Sequence, residues 1–160
     1  METREKGFSL VELLVVVAII LIIAAIAIPN LLESRIAANQ AAAVSDLRGI
    51  NSSELTYLTM YNDGYAATLA TLGPPSGGGP PTPAAANLID AYLAAGTRNG
   101  YSFVYSAGSQ DAQGHYQTFT VHASPVSQGT TGNNFYFTDE SNVIRMNTSS
   151  TASASNSPIG

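Results

Sequence analysis

The chain has no cysteine among its 160 residues. No disulfide can close its loops, so any fold it adopts is held by burial and hydrogen bonds, or by a bound ion. Cationic charge is nearly as scarce. The single lysine is Lys6, and from residue 8 onward four arginines (Arg35, Arg48, Arg98, Arg145) stand against nine acids, the 11 of the whole chain less Glu2 and Glu5. Direct nucleic-acid binding is not expected, because neutralising phosphates needs clustered Lys and Arg. The residues of catalysis are thin as well. The two histidines, His115 and His122, are seven apart with no His-x-x-x-His spacing, and no serine has an evident base and orienter. Gly77-Gly78-Gly79 lacks the Lys-Ser/Thr that follows in a phosphate-binding loop. Neither an enzyme nor a nucleotide site is expected, and no cofactor. Phe8 is the one aromatic before Tyr57, so the N-terminal third carries no aromatic series.

What the chain has instead is a long apolar run. Residues 8–28 contain only Ser9 and Glu12 as polar interruptions, and the run is long enough to cross a bilayer as a helix. A carboxylate inside such a segment costs roughly 2.5–3.5 kcal/mol on insertion scales, so Glu12 calls for a function and a partner. A cut between Gly7 and Phe8 would supply one, a new cationic α-amine four residues before Glu12. An ordinary secretory signal is the plainer alternative, since Ala25-Ile26-Ala27 offers a small-x-small site that would release a chain beginning at Ile28. Against it stand two acids and two bases in Met1–Lys6, the Glu12 charge, and a run longer than a signal's apolar region. A simple membrane anchor would leave Glu12 unexplained.

Gly7-Phe8-Ser9-Leu10-Val11-Glu12-Leu13, the apolar run behind it and Pro29 together resemble the N-terminus of type IV pilins and type II secretion pseudopilins. The resemblance implies a leader of residues 1–7, cut by a prepilin peptidase after Gly7, and methylation of the new N-terminal Phe8. It implies that Glu12 pairs with the Phe8 amine of a neighbouring subunit during assembly. The implied partners are further copies in a helical homopolymer, an inner-membrane assembly platform and a separate assembly ATPase. The implied location is the bacterial inner membrane, single-pass with the head outside the cytoplasm, and afterwards a surface or periplasmic filament.

The residues beyond the run give the rest of the architecture. Leu32, Ile36, Ala43, Leu47, Ile50, Tyr57 and Tyr61 fall on one helical stripe, with Glu33, Asn39, Asp46, Asn51 and Ser52 on the opposite side. The pattern predicts one helix over residues 8 to about 62, kinked or locally melted near Pro29, where a backbone hydrogen bond is lost. Asn62-Asp63-Gly64 ends it, with Gly64 in the left-handed position. Gly64-Tyr65 with Leu69 and Leu72 is similar to the step that opens a pilin head, although Ala66 stands where that family often has proline. The Pro/Gly-rich stretch 73–83 reads as an exposed connector, and 84–95, stopped by Gly96, as a short helix. Strands are predicted over 101–105, 116–122, 134–138 and 143–146, with turns at Gly108–Gly114 and Asp139–Asn142. The tail from Asn147 to Gly160 is Thr-, Ser-, Ala- and Asn-rich. It reads as disordered, or as a surface for glycosylation at Asn147-Thr148-Ser149.

The expected fold is α+β, a long N-terminal helix whose second half packs against a small antiparallel sheet, the pilin architecture. Its parts are the leader 1–7, the transmembrane and assembly helix 8–28, the amphipathic helix 29–62, the connecting region 63–100, the sheet 101–146 and the tail 147–160. Asp139 and Glu140 are weak candidates to hold calcium, as an acidic C-terminal loop does in major pseudopilins; a solvated turn is the alternative. The expected function is a type IV pilus subunit. A major pseudopilin of type II secretion is the alternative within the class, and a secreted or anchored extracytoplasmic binding module the alternative outside it.

Overall fold

The computed structural model describes residues 7–159, so the leader residues Met1–Lys6 lie outside the described part. The chain divides into two compact units, one up to Arg35 and one from Ile36 onward. A single helix, α1 (Leu10–Tyr61), contributes to both. It starts two residues later than the periodicity predicts and stops one residue earlier.

In the first unit α1 carries Leu10 to Ile28 with every large apolar side chain exposed, Leu21 at 62% and Ile28 at 65%. The segment is long and apolar enough to cross a membrane. Pro29 removes the N–H that would reach the Ala25 carbonyl, yet the helix is not melted there. Its neighbours reinforce the same turn. Asn30 Nδ2 donates to the Ile26 carbonyl at 2.9 Å, and Ser34 Oγ donates to the Asn30 carbonyl at 2.9 Å.

In the second unit α1 packs on a five-stranded antiparallel sheet whose spatial order follows the sequence: β1 (Thr97–Arg98), β2 (Tyr101–Ala107), β3 (Phe119–Pro125), β4 (Phe135–Asp139) and β5 (Arg145–Asn147). The predicted alternation holds in β2 and β3. Tyr101, Phe103, Phe119, Val121 and Ala123 are buried together with Ala43, Leu47, Ile50 and Tyr57 of α1 in one core. The fifth strand comes from a turn beyond the four predicted strands. Arg98 pairs with Tyr101 across Asn99-Gly100, both at positive φ (48° and 73°), the two-residue hairpin that Asn-Gly favours.

The last strand runs over Arg145–Asn147 and not 143–146, and three predicted segments differ more. Residues 84–90 are not helical; only α3 (Ala91–Ala94) is. The amides of Ala86, Asn87 and Leu88 bond to the carbonyls of Thr71, Gly73 and Leu72 around a second short helix, α2 (Leu69–Leu72), so they are engaged outside any helix. The Asp90 carboxylate then caps α3 by accepting from the amides of Tyr92 and Leu93. The strand predicted from residue 116 begins only at Phe119, because Tyr116 bridges instead to Gly64, Tyr65 and Gln110. That contact demands glycine at position 64: its φ is +75°, and a β-carbon there would overlap the Tyr116 backbone. Asn62, at φ +50°, is also left-handed, so two residues and not Gly64 alone turn the chain out of α1.

The tail is the third difference. It folds back along β5: the Met146 amide donates to the Ser157 carbonyl at 3.1 Å, the Ile159 amide to the Ile144 carbonyl at 2.9 Å, and Arg145 pairs with Pro158. Ala152 is fully buried and Ile159 packs against the core. Composition missed this because the stabilising groups are backbone amides and two small apolar contacts, which leave no periodic signature.

Candidate functional site

The site with a chemical demand is the first turn of α1. Phe8 is exposed, Ser9 precedes the helix, and Glu12 is the acid of its first turn. The Glu12 carboxylate turns back on the chain: the Ser9 amide donates to Glu12 Oε2 at 2.8 Å. The Ser9 hydroxyl in turn accepts from the Val11 amide at 3.3 Å. This is a reciprocal cap of the Ser-x-x-Glu kind, which satisfies two of the amides that a helix start leaves without partners. The negative charge also lies at the positive end of the helix dipole. The Ser9-x-x-Glu12 spacing is the signal in the sequence for this cap, which the Phe8 amine alone does not explain.

The cap occupies one carboxylate oxygen. The second oxygen has no partner among the described hydrogen bonds, so the group can cap its own helix and accept from a cation beside Phe8. Gly7 is exposed, with no atom near the position a β-carbon would take, which leaves the Gly7–Phe8 bond open to approach.

The other residues singled out by sequence lie elsewhere. Asp139 ends β4 and Glu140 opens the turn to β5, where Asp139 Oδ1 accepts from both the amide and the hydroxyl of Ser141. Among the described residues no three His, Asp or Glu side chains come together as a metal-binding group. His115 sits between two carboxylates, with Nε2 3.3 Å from Asp63 and Nδ1 3.3 Å from Asp111. Asp111 is held below the usual carboxylate range, chiefly by the His115 amide and further by the Gln113 amide. The His122 ring lies 5.0 Å from that of Phe137, tilted by 57° to it.

Several polar residues that periodicity placed on the solvent side of α1, or did not weigh, are inside the head, Asn51 and Glu54 among them. Asn51 exchanges hydrogen bonds with Thr138 (2.9 and 3.2 Å) and reaches the Asn142 carbonyl. Glu54 is fully buried and accepts from the Ala66 amide at 3.0 Å through one oxygen, while the other has no partner. An alanine at position 66 makes that bond available, since proline would bring no N–H.

Residues 3–28 match the family model of the prokaryotic N-terminal methylation motif. The type II secretion system core protein G of Dickeya chrysanthemi is 36% identical over 73 residues, 46% of this chain and 47% of that protein. The type IV wide pilus major component PilA4 of Thermus thermophilus is 41% identical over 70 residues, 42% of this chain and 50% of that protein. The type IV major pilin protein PilA of Myxococcus xanthus is 39% identical over 56 residues, 35% of this chain and 26% of that protein. The chain thus spans half or less of the length of these relatives, and no solved structure matches it. Residues 3–28 therefore carry the prokaryotic N-terminal methylation motif, and part of the chain is similar to type IV major pilins and to the core protein G of type II secretion systems.

Proposed function

We propose that this chain is the structural subunit of a type IV pilus, polymerised through the first half of α1. A prepilin peptidase cuts between Gly7 and Phe8, and the Phe8 amine is methylated. Before assembly the apolar segment lies in the bacterial inner membrane with the head outside the cytoplasm. An assembly platform and a separate ATPase then draw it into a helical homopolymer. The observation that carries this reading is Glu12, a carboxylate in the first turn of an otherwise apolar, fully exposed helix within the matched motif. Exchange from lipid to a bundle of like helices moves apolar surface between two apolar environments, so it sets no register by itself. The Glu12–Phe8 ion pair would set it, because a buried charge left without its partner is strongly unfavourable.

The protein G relatives favour a second reading, the major pseudopilin of a type II secretion system. Surface filaments seen by electron microscopy in the native host support the pilus; filaments confined to the periplasm together with a secretion defect on deletion support the pseudopilus.

The cap separates two roles for Glu12. Glu12→Gln keeps an oxygen for the Ser9 amide and loses the charge, whereas Glu12→Ala loses both. Mass spectrometry should find both variants beginning at a methylated Phe8, and both should fail to yield filaments. Normal filaments from Glu12→Gln would reduce Glu12 to a helix cap and remove the assembly role.

A further inference from the structure

Arg35 closes the first unit of α1 and is the one basic side chain among the described residues of that unit. It is exposed, and no carboxylate among the described residues lies within salt-bridge distance of it. Glu33 stands two residues before it and so faces another side of the helix. With Ile28, Leu31 and Leu32, Arg35 lines an open cleft of about 240 Å³ on the helix surface. Those three aliphatic residues precede it by seven, four and three positions, the spacing of one helix face. Helix side chains lean toward the N-terminus, so the guanidinium reaches back along the turn that carries Leu31 and Leu32.

The polar side chains between Ile28 and Arg35 show what surroundings this turn is built for. Asn30 Nδ2 and Ser34 Oγ give hydrogens to carbonyls of their own helix, at Ile26 and Asn30. Such back-bonding lets a helix carry polar residues where water is scarce. Length agrees with this. At 1.5 Å per residue, Leu10 to Ile28 covers about 28 Å, close to the roughly 30 Å of a hydrocarbon core. Leu31 and Leu32 then lie about 4.5–6 Å further on, within the roughly 5–7 Å that headgroups add on each side. Lys and Arg orient an anchor from the cytoplasmic side. A lone arginine on the head's side serves no such purpose and needs a local one.

We propose that Arg35 and its cleft bind a glycerophospholipid of the leaflet on the head's side, the guanidinium on the phosphate and an acyl chain along Ile28, Leu31 and Leu32. The proposal rests on the membrane-inserted state described above. A phospholipid brings an anion and an aliphatic chain in one molecule, at the level where the helix offers a cation and an aliphatic groove. A free phosphate would leave the groove empty, and a carboxylate of another subunit would bring no aliphatic chain. The guanidinium fork matches two phosphate oxygens at once.

The test places the full chain, with ¹³C at the arginine Cζ and the leucine methyls, in phosphatidylglycerol vesicles. Magic-angle-spinning NMR then measures dephasing of the Cζ signals by ³¹P and contacts of the methyls with acyl protons. We expect one dephased Cζ signal that disappears in Arg35→Gln, and acyl contacts from both Leu21 and Leu31. If Arg35→Gln removes no dephased signal, or if Leu31 touches no acyl chain while Leu21 does, this proposal is overturned and the membrane reading stands. If Leu21 makes no acyl contact, both fall. Vesicles of digalactosyl diacylglycerol, which contain no phosphorus, are measured in phosphate buffer to identify the source of the anion. Loss of Arg35 dephasing there is expected; dephasing that persists would assign the site to free phosphate and overturn the lipid. In mixed-labelled vesicles, a contact of Arg35 with Glu33 of a second copy in place of phosphorus would overturn it as well.

Discussion

Glu54 shows how one buried residue ties the pH response of the head to its packing. One of its oxygens is satisfied by the Ala66 amide; the nearby Tyr105 hydroxyl gives its only hydrogen to the Ala66 carbonyl at 2.7 Å, so the other oxygen has no donor. Burial is the largest influence on the Glu54 carboxyl and raises its pKa, while the hydrogen bond from the Ala66 amide opposes the rise. Between the ordinary carboxylate value and the raised one, the folded chain holds a proton that the unfolded chain has released. Stability therefore falls as pH rises through that window and levels off above it. Glu54→Gln keeps the acceptor for Ala66 and places an N–H₂ where the unpaired oxygen was. We expect it to exceed the wild type by about 1 kcal/mol at neutral pH, with the difference shrinking as pH falls to about 4. Urea midpoints of both proteins across that range check this, and a difference that does not vary with pH would refute the linkage.

At the scale of elements, the legible parts of the fold are those where side-chain burial follows a period. Of the predicted stripe, Ile36, Ala43, Leu47, Ile50 and Tyr57 are buried as read, while Leu32 is exposed and Tyr61 half-buried; the alternation in β2 and β3 holds. The elements that sequence missed are held by backbone groups, which every residue carries. Residues 84–90 look helical by their alanines, but their amides bond to carbonyls of residues 71–73. The tail looks free by composition, yet its backbone extends the sheet edge beyond β5. Ser9 and Asn99-Gly100 are different, since their capping and hairpin signals lie in the sequence itself. The tail gives an element-level prediction. Removing residues 154–160 deletes the Ser157 acceptor of the Met146 amide and the Ile159 contact with the core. Three lost hydrogen bonds to residues 144–146, counting the one from Arg145 Nη1 to the Asn156 carbonyl, and one lost apolar contact imply a destabilisation of about 2–4 kcal/mol. Hydrogen exchange should show the Met146 amide losing protection while the Phe103 amide, bonded to the Gly96 carbonyl, exchanges only through whole-head opening. Protection at Met146 equal to that of the full chain would return the tail to the disordered state that its composition suggested.

For the whole molecule, the division at Arg35 sorts apolar residues by what their burial does. Leu47 has no exposure and belongs to the head core, whereas Leu21 is exposed in the isolated chain. Both are leucines on the same helix, so their helix propensities are equal and only their environments differ. Leu47→Ala leaves a cavity inside packed side chains and should cost the head about 2–5 kcal/mol. Leu21→Ala removes no contact within the head, so head unfolding in micelles should stay within about 0.5 kcal/mol of wild type. Its effect belongs to the assembled state, where the same side chain would pack against copies of itself: fewer or shorter filaments with an unchanged head. Paired measurements of head unfolding and filament yield separate the two. If Leu21→Ala destabilised the head as Leu47→Ala does, the apolar half of α1 would be part of the head's own core. The idea that one apolar surface serves first in lipid and then in a fibre would then fail.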